Sequence, residues 1–140
     1  MIRQEMIIDL ISCFESSDVY MRTLKKEITD RSELDNPNVV KVITDCNDYA
    51  IYFSRYCVPY ERNAGICKHY KHIGAYGYKK KFLMNYSSML KTILEETESL
   101  EQLRVIENGY KIKVKETIYK TVGVDTPEQL KEVETMMLNL

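Results

Sequence analysis

Two hydrophobic rhythms alternate along this chain, and neither an all-helical nor an all-strand fold accommodates both. Met6, Ile7, Leu10, Ile11 and Phe14 fall on one face at helical spacing, so residues 3–14 read as an amphipathic helix. Val39-Val40-Lys41-Val42-Ile43-Thr44 is instead β-branched and strand-like. Asp45-Cys46-Asn47-Asp48 then supplies turn residues, and Ala50 to Arg55 returns as a second strand, which makes a β-hairpin. A short strand is expected from Val19 to Leu24, followed by a polar loop or short helical turn from Lys25 to Asn38, which holds Pro37. Lys71 to Tyr78 reads as another strand, with Ile73 and Ala75 alternating with His72, Gly74 and Tyr76. Its small residues suggest that a backbone or a ligand passes close by.

The second half keeps the alternation. Lys79 to Tyr86 reads as a short helix, and Glu98 to Asn108 as a helix ended by Gly109, which tolerates positive φ. Tyr110 to Glu116 is a strand by alternation. Thr126-Pro127-Glu128-Gln129 opens a last helix, with Thr126 as its cap, Pro127 in the first turn and Gln129 completing a capping box. Alternating helices and strands are the pattern of an α/β fold, and 140 residues suit one domain, 1–140.

Composition removes several classes of function. The net charge of −1 provides no global field for nucleic acid or anionic membrane, so an anion site must be local. No apolar run approaches the roughly 20 residues that span a bilayer. Glu5 and Asp9 interrupt the first apolar stretch and argue against a secretory signal. Cys13, Cys46, Cys57 and Cys67 form no C-x-x-C pair, so a zinc knot is not expected, and reduced thiols in a cytoplasm fit better. No Gly-rich phosphate loop, G-x-S-x-G elbow or H-E-x-x-H motif is present.

Four groups of residues have the chemistry of a site. Asp125 lies between a strand end and a helix start, where ligands of open α/β sheets bind, and a carboxylate there suits a hard cation such as Mg²⁺. Position alone favours a plainer role, in which it helps cap the helix and complements the helix dipole. Arg55 and Arg62 carry guanidinium forks that suit carboxylates and phosphates, against the plainer role of solvated surface charge. His72 and Tyr76 are four residues apart on one strand, hence on one side of it, and both can bond a polyhydroxylated ligand. Glu101 and Gln102 supply a carboxylate and an amide, useful to sugar hydroxyls, although helix-surface charge pairing accounts for them as simply.

The order of these segments resembles the 3-deoxy-manno-octulosonate (Kdo) cytidylyltransferases over nearly the whole chain. The similarity runs through Asn36-Pro37-Asn38-Val39-Val40-Lys41-Val42, Ala50-Ile51-Tyr52-Phe53-Ser54-Arg55 with Pro59 and Arg62, and Tyr70 to Tyr78. It continues through Glu98-Ser99-Leu100-Glu101-Gln102-Leu103-Arg104-Val105 with Gly109, and Gly123-Val124-Asp125-Thr126-Pro127-Glu128. The resemblance implies a partial nucleotide-diphospho-sugar transferase (Rossmann-like) domain, with a mixed sheet, flanking helices and a β-hairpin arm that helps form a homodimer. It implies transfer of CMP from CTP to Kdo with Mg²⁺, releasing pyrophosphate, for lipopolysaccharide or capsule. It further implies that Asp125 is a Mg²⁺ ligand, that His72, Tyr76, Glu101 and Gln102 line the sugar site, and that Arg55 and Arg62 meet anionic groups of the reactants. Other readings are activation of another acid sugar such as a neuraminate, or a sugar-binding and dimerising module without catalysis.

The family's basic small-residue loop for CTP and its Gln-Gly-Asp-Glu-Pro segment do not occur in this sequence. Met1-Ile2-Arg3 resembles the stretch directly after that segment, so the chain is expected to be the C-terminal half, without the CTP-binding half. With one metal carboxylate and no nucleotide loop, the 140-residue chain is expected to release no pyrophosphate from CTP and Kdo. A coupled pyrophosphate assay checks this, and measurable release refutes it.

Overall fold

A computed structural model of the chain describes residues 2–12, 19–119, 121 and 127–138. Its elements run α1 (Gln4–Ser12), β1 (Met21–Glu27), a 3₁₀ turn (Arg31–Glu33), β2 (Lys41–Thr44), β3 (Ala50–Ser54) and β4 (Tyr70–Tyr78). Next come α2 (Lys80–Tyr86), α3 (Ile93–Glu98), α4 (Gln102–Glu107), β5 (Ile112–Glu116) and α5 (Pro127–Leu138). The strands form one five-stranded sheet in the order β3-β2-β4-β1-β5. β1 runs antiparallel to β4 and parallel to β5, so the sheet is mixed, as the resemblance implies.

Strand alternation sorts side chains into two cores. Met21, Val42, Phe53, Ile112 and Val114 pack with Phe82, Tyr86, Leu103 and Val105 from the α2–α4 layer. Leu24, Ile73 and Ala75 form a second cluster with Met6 and Leu10 of α1. β1 lies between both layers and is buried from Met21 to Lys25. The hairpin forms where turn residues predict it. The Asp45 carboxylate accepts hydrogen bonds from the backbone N–H of Asn47 (2.8 Å) and Tyr49 (2.9 Å), and Asp48 adopts positive φ. Its bond from Tyr49 holds the Asp45 carboxyl below the usual range.

The structure differs from the sequence reading at several points. β1 runs on to Glu27, because Lys25, Lys26 and Glu27 pair with His72, Lys71 and Tyr70 of β4 and add ladder bonds past the apolar run. Of the helix expected from Glu98 to Asn108, only Gln102–Glu107 is α4; Glu98 instead ends α3, a helix the sequence reading did not include, and the two meet at a corner with Ser99 left-handed at φ 53°. Arg55 explains the break: its Nε donates to the Glu98 carbonyl (2.7 Å) and its Nη2 to the Ser99 carbonyl (3.2 Å), oxygens a continuous helix would spend on itself. The corner turns Leu100 and Leu103 into the core. At Gly74, a Cβ would meet nothing within 4 Å, so no backbone passes close there. Gly109 has φ 78° and closes α4 as expected. The first expected helix is described only to Ser12, and the cap at Thr126 lies outside the described residues.

Leu103→Ala removes a side chain with no exposed surface beside the corner. It is expected to cost about 3 kcal/mol, read as a lower urea midpoint at constant slope. A loss under about 1 kcal/mol would show that the corner is not part of the core.

Candidate functional site

β1 and β4 do not keep step. Arg22 pairs with Gly77 and Leu24 with Ile73, so Thr23 alone stands opposite Gly74, Ala75 and Tyr76. Such an irregularity bends a strand and re-aims its side chains. In a regular strand, residues four apart are separated by roughly 13 Å. Here the His72 and Tyr76 rings lie 5.4 Å apart between centroids.

The pair opens a continuous run of rings. Phe53 meets His72 edge-on at 5.0 Å, and Tyr76 contacts Tyr78 at 6.0 Å. Tyr78 stacks on Tyr86 at 6.0 Å, and Tyr86 on Phe82 at 6.0 Å. The Tyr86 hydroxyl donates to the Glu101 carbonyl at 2.8 Å, which ties the run to the start of α4. Arg104 lies over the Tyr86 ring and pairs with Glu95, whose carboxyl that contact holds low. Gln102, next to Glu101, is buried, and its Nε2 has no hydrogen-bond partner among the described residues. A buried amide donor left without a partner is uncommon, and this one is sealed from solvent, so a ligand acceptor reaches it only when neighbouring side chains move.

Electrostatics reflect this packing. His72 keeps a partial opening to solvent, yet burial disfavours its charged form and pushes its pKa down to about 3. Burial, with lesser contributions from Tyr86 and Glu101, pushes Tyr78 up to about 12. Tyr76 is raised by burial first, then by Tyr78, Tyr86 and Glu101. Glu101 contributes to raising all three tyrosines, after burial.

Ring contact joins His72 to Tyr76, and the run of rings reaches the Glu101 carbonyl through Tyr86, with Gln102 the next residue along the chain. Arg55 is close to them in the fold, but its guanidinium is engaged with the carbonyls of Pro37, Glu98 and Ser99, where it shapes the corner that carries Glu101 and Gln102. Arg62 sits apart on the exposed loop after β3, with no side-chain partner among the described residues. Asp125 lies outside the described residues. Among those described, no group of three His, Cys, Asp or Glu residues is placed to hold a metal ion. His69 turns away, with Nδ1 3.2 Å from the Val58 carbonyl and Nε2 3.2 Å from Glu61. Sequence reasoning missed Thr23, Phe53 and Tyr86 as neighbours of the site. Tyr78 was legible in principle, since it shares the even-numbered face of β4 with His72 and Tyr76.

The His72 shift has a defined effect on stability. Its folded pKa of about 3 lies below the ordinary 6.5, so below pH 6.5 the unfolded chain takes up a proton the folded chain refuses. Stability from this group is therefore full above 6.5 and falls as pH drops toward 3. The urea midpoint of His72→Gln is expected to fall less than that of the parent between these limits. Parallel curves would show that the imidazole is not held neutral.

The arrangement has close relatives. The family described as Cytidylyltransferase matches residues 1–132. A 3-deoxy-manno-octulosonate cytidylyltransferase of Fusobacterium nucleatum is 57% identical over 134 residues, covering 95% of this chain and 55% of the relative. One of Solibacter usitatus is 50% identical over 120 residues, covering 85% of this chain and 48% of the relative. The solved structure of a CMP:2-keto-3-deoxy-manno-octonic acid synthetase complexed with CTP superposes with a TM-score of 0.93 at 36% identity, covering 99% of this chain and 58% of that one. The chain thus spans about half the length of the relatives it matches, and its sheet and helices are those of that synthetase's nucleotide-sugar transferase fold. With its sequence matched almost from end to end, this chain belongs to the cytidylyltransferase family.

Proposed function

We propose that this chain is the sugar-binding part of an enzyme that transfers CMP from CTP to Kdo. The observation that carries this is the contact of His72 with Tyr76 on a run of rings that Tyr86 ties to Glu101, beside Gln102, whose amide donor has no partner among the described residues. A polyhydroxylated acid needs donors for its carboxylate and both donors and acceptors for its hydroxyls, and this group supplies them. Relatives named for Kdo, and a fold neighbour solved with CTP, support the same substrates. In the reaction, the anomeric oxygen of the sugar forms a bond to the α-phosphorus of CTP. The bond from that phosphorus to the β-phosphate oxygen breaks, pyrophosphate leaves, and the anomeric hydroxyl loses its proton. Holding the sugar oxygen in line with the leaving group is the part of catalysis that this cluster would perform.

Mg²⁺ belongs to the proposal as the charge-neutralising cofactor of the transferring phosphate, with Asp125 as the ligand drawn from this chain. Arg62, exposed and without a side-chain partner among the described residues, is the arginine free to meet an anionic reactant. The β2–β3 hairpin, whose Ile51 side chain is exposed, would serve as the homodimer arm. No described helix is long and apolar enough to cross a membrane. A cytoplasmic site of action, feeding lipopolysaccharide or capsule synthesis, completes the reading.

Calorimetric titration of the chain with Kdo tests the sugar site directly. Gln102→Leu, which removes the amide donor at similar volume, is expected to weaken binding about tenfold. Heat with a neuraminate and none with Kdo would reassign the sugar. Joined to the segment of the Fusobacterium nucleatum relative that this chain does not span, the chain is expected to release pyrophosphate. Asp125→Asn should slow that release about 100-fold, and an unchanged rate would remove Asp125 from the metal site.

A further inference from the structure

Thr23 is the one residue of β1 that faces the irregular stretch of β4. Its hydroxyl lies 3.0 Å from the carbonyl of Ile73, 3.0 Å from the carbonyl of Ala75 and 2.8 Å from Nε2 of His72. A hydroxyl has one proton to give and lone pairs with which to accept, whereas a carbonyl can only accept. With two carbonyl oxygens at 3.0 Å, the Thr23 proton points to them. Its lone pairs are left for the imidazole, and that contact is attractive only when Nε2 carries a hydrogen and donates it. The opposite assignment would turn oxygen lone pairs toward both carbonyls at once.

We propose that Thr23 is a positioning residue, which holds His72 as the Nε2–H tautomer and so presents the Nδ1 lone pair as a hydrogen-bond acceptor for a ligand hydroxyl. Nδ1 has no hydrogen-bond partner among the described residues and is not among the sealed polar atoms. Phe53 edge-on at 5.0 Å and Tyr76 at 5.4 Å pack against the ring and limit its movement. Burial keeps the imidazole neutral at ordinary pH, which leaves the Nδ1 lone pair available. The proposal rests on the reading of His72 as a sugar contact. It deepens that reading by making His72 an acceptor of a sugar hydroxyl and leaving the carboxylate to other groups.

The tautomer can be read without any ligand. The chain has two histidines, so two-bond ¹H–¹⁵N correlation spectra of the labelled chain resolve each ring, and His72→Gln identifies the His72 signals by their loss. At pH 7 the parent and Thr23→Ser are expected to show a protonated-type Nε2 and an unprotonated-type Nδ1. Thr23→Val, which keeps the shape and removes the acceptor, is expected to populate the Nδ1–H form. An Nδ1–H or doubly protonated ring in the parent overturns the proposal, as does a Thr23→Val spectrum identical to the parent's. Should Thr23→Val fail to fold, Thr23→Cys replaces it, since its sulfur is only a weak acceptor. In calorimetry with Kdo, Thr23→Val should bind about tenfold more weakly, and Thr23→Ser within about twofold of the parent. Equal affinity of Thr23→Val and the parent would overturn the role in binding. A parent chain with the Nε2–H ring that binds no Kdo would instead refute the sugar-site reading and leave the assignment of Thr23 intact.

Discussion

The site depends on a mismatch in the sheet, where one residue of β1, Thr23, spans three of β4. Extra backbone in one strand leaves groups without ladder partners and bends the strand. Here the Thr23 hydroxyl answers two carbonyls of β4, at Ile73 and Ala75, in place of a backbone donor. The bend draws His72 and Tyr76 from the roughly 13 Å of a regular strand to ring contact. It also leaves Ile73 and Ala75 on the α1 face, so the second core is not sacrificed to the site.

A second constraint fixes the other wall. Lys41 has no exposed surface, and a buried ammonium is tolerable only when its protons are bonded. Its Nζ donates to the carbonyls of Asn36 (2.8 Å) and Arg55 (3.0 Å), which closes the base of the hairpin and sets the backbone of Arg55. Desolvation nonetheless lowers its pKa. The Glu98 carboxylate receives Ser54 Oγ (2.7 Å) and the Arg55 N–H (2.9 Å), while the Arg55 side chain takes the carbonyls of Glu98 and Ser99. These bonds hold the α3–α4 corner against the sheet, and the corner delivers Glu101 and Gln102 toward the tyrosines of β4. Arg55 thus acts on this region through the backbone it shapes.

The two walls give the region its chemical character. Stacked and edge-on rings from Phe53 to Phe82 exclude water and disfavour charge on His72 and the tyrosines. Neutral donors and acceptors in such a setting recognise hydroxyls by direction, and the Glu101 carboxylate adds a strong acceptor at the edge.

Local patterns in the sequence sufficed for most of the elements. The β-branched run of β2, the Asp45 turn, the alternation of β4 and the positive-φ stop at Gly109 all depend on neighbours along the chain, and they occur as read. The ordered blocks around His72, Glu101 and Asp125 were enough to point to the cytidylyltransferase family that matches the chain. Tertiary structure decided what neighbours along the chain do not encode. The split at Ser99 arises because Arg55, 44 residues away, takes helix carbonyls for itself. The closeness of His72 to Tyr76 comes from pairing with a strand some 50 residues earlier, and the tautomer of His72 from a threonine 49 residues away. Periodicity reports which face a side chain occupies, whereas hydrogen bonds between distant segments decide how far apart two side chains on that face will lie.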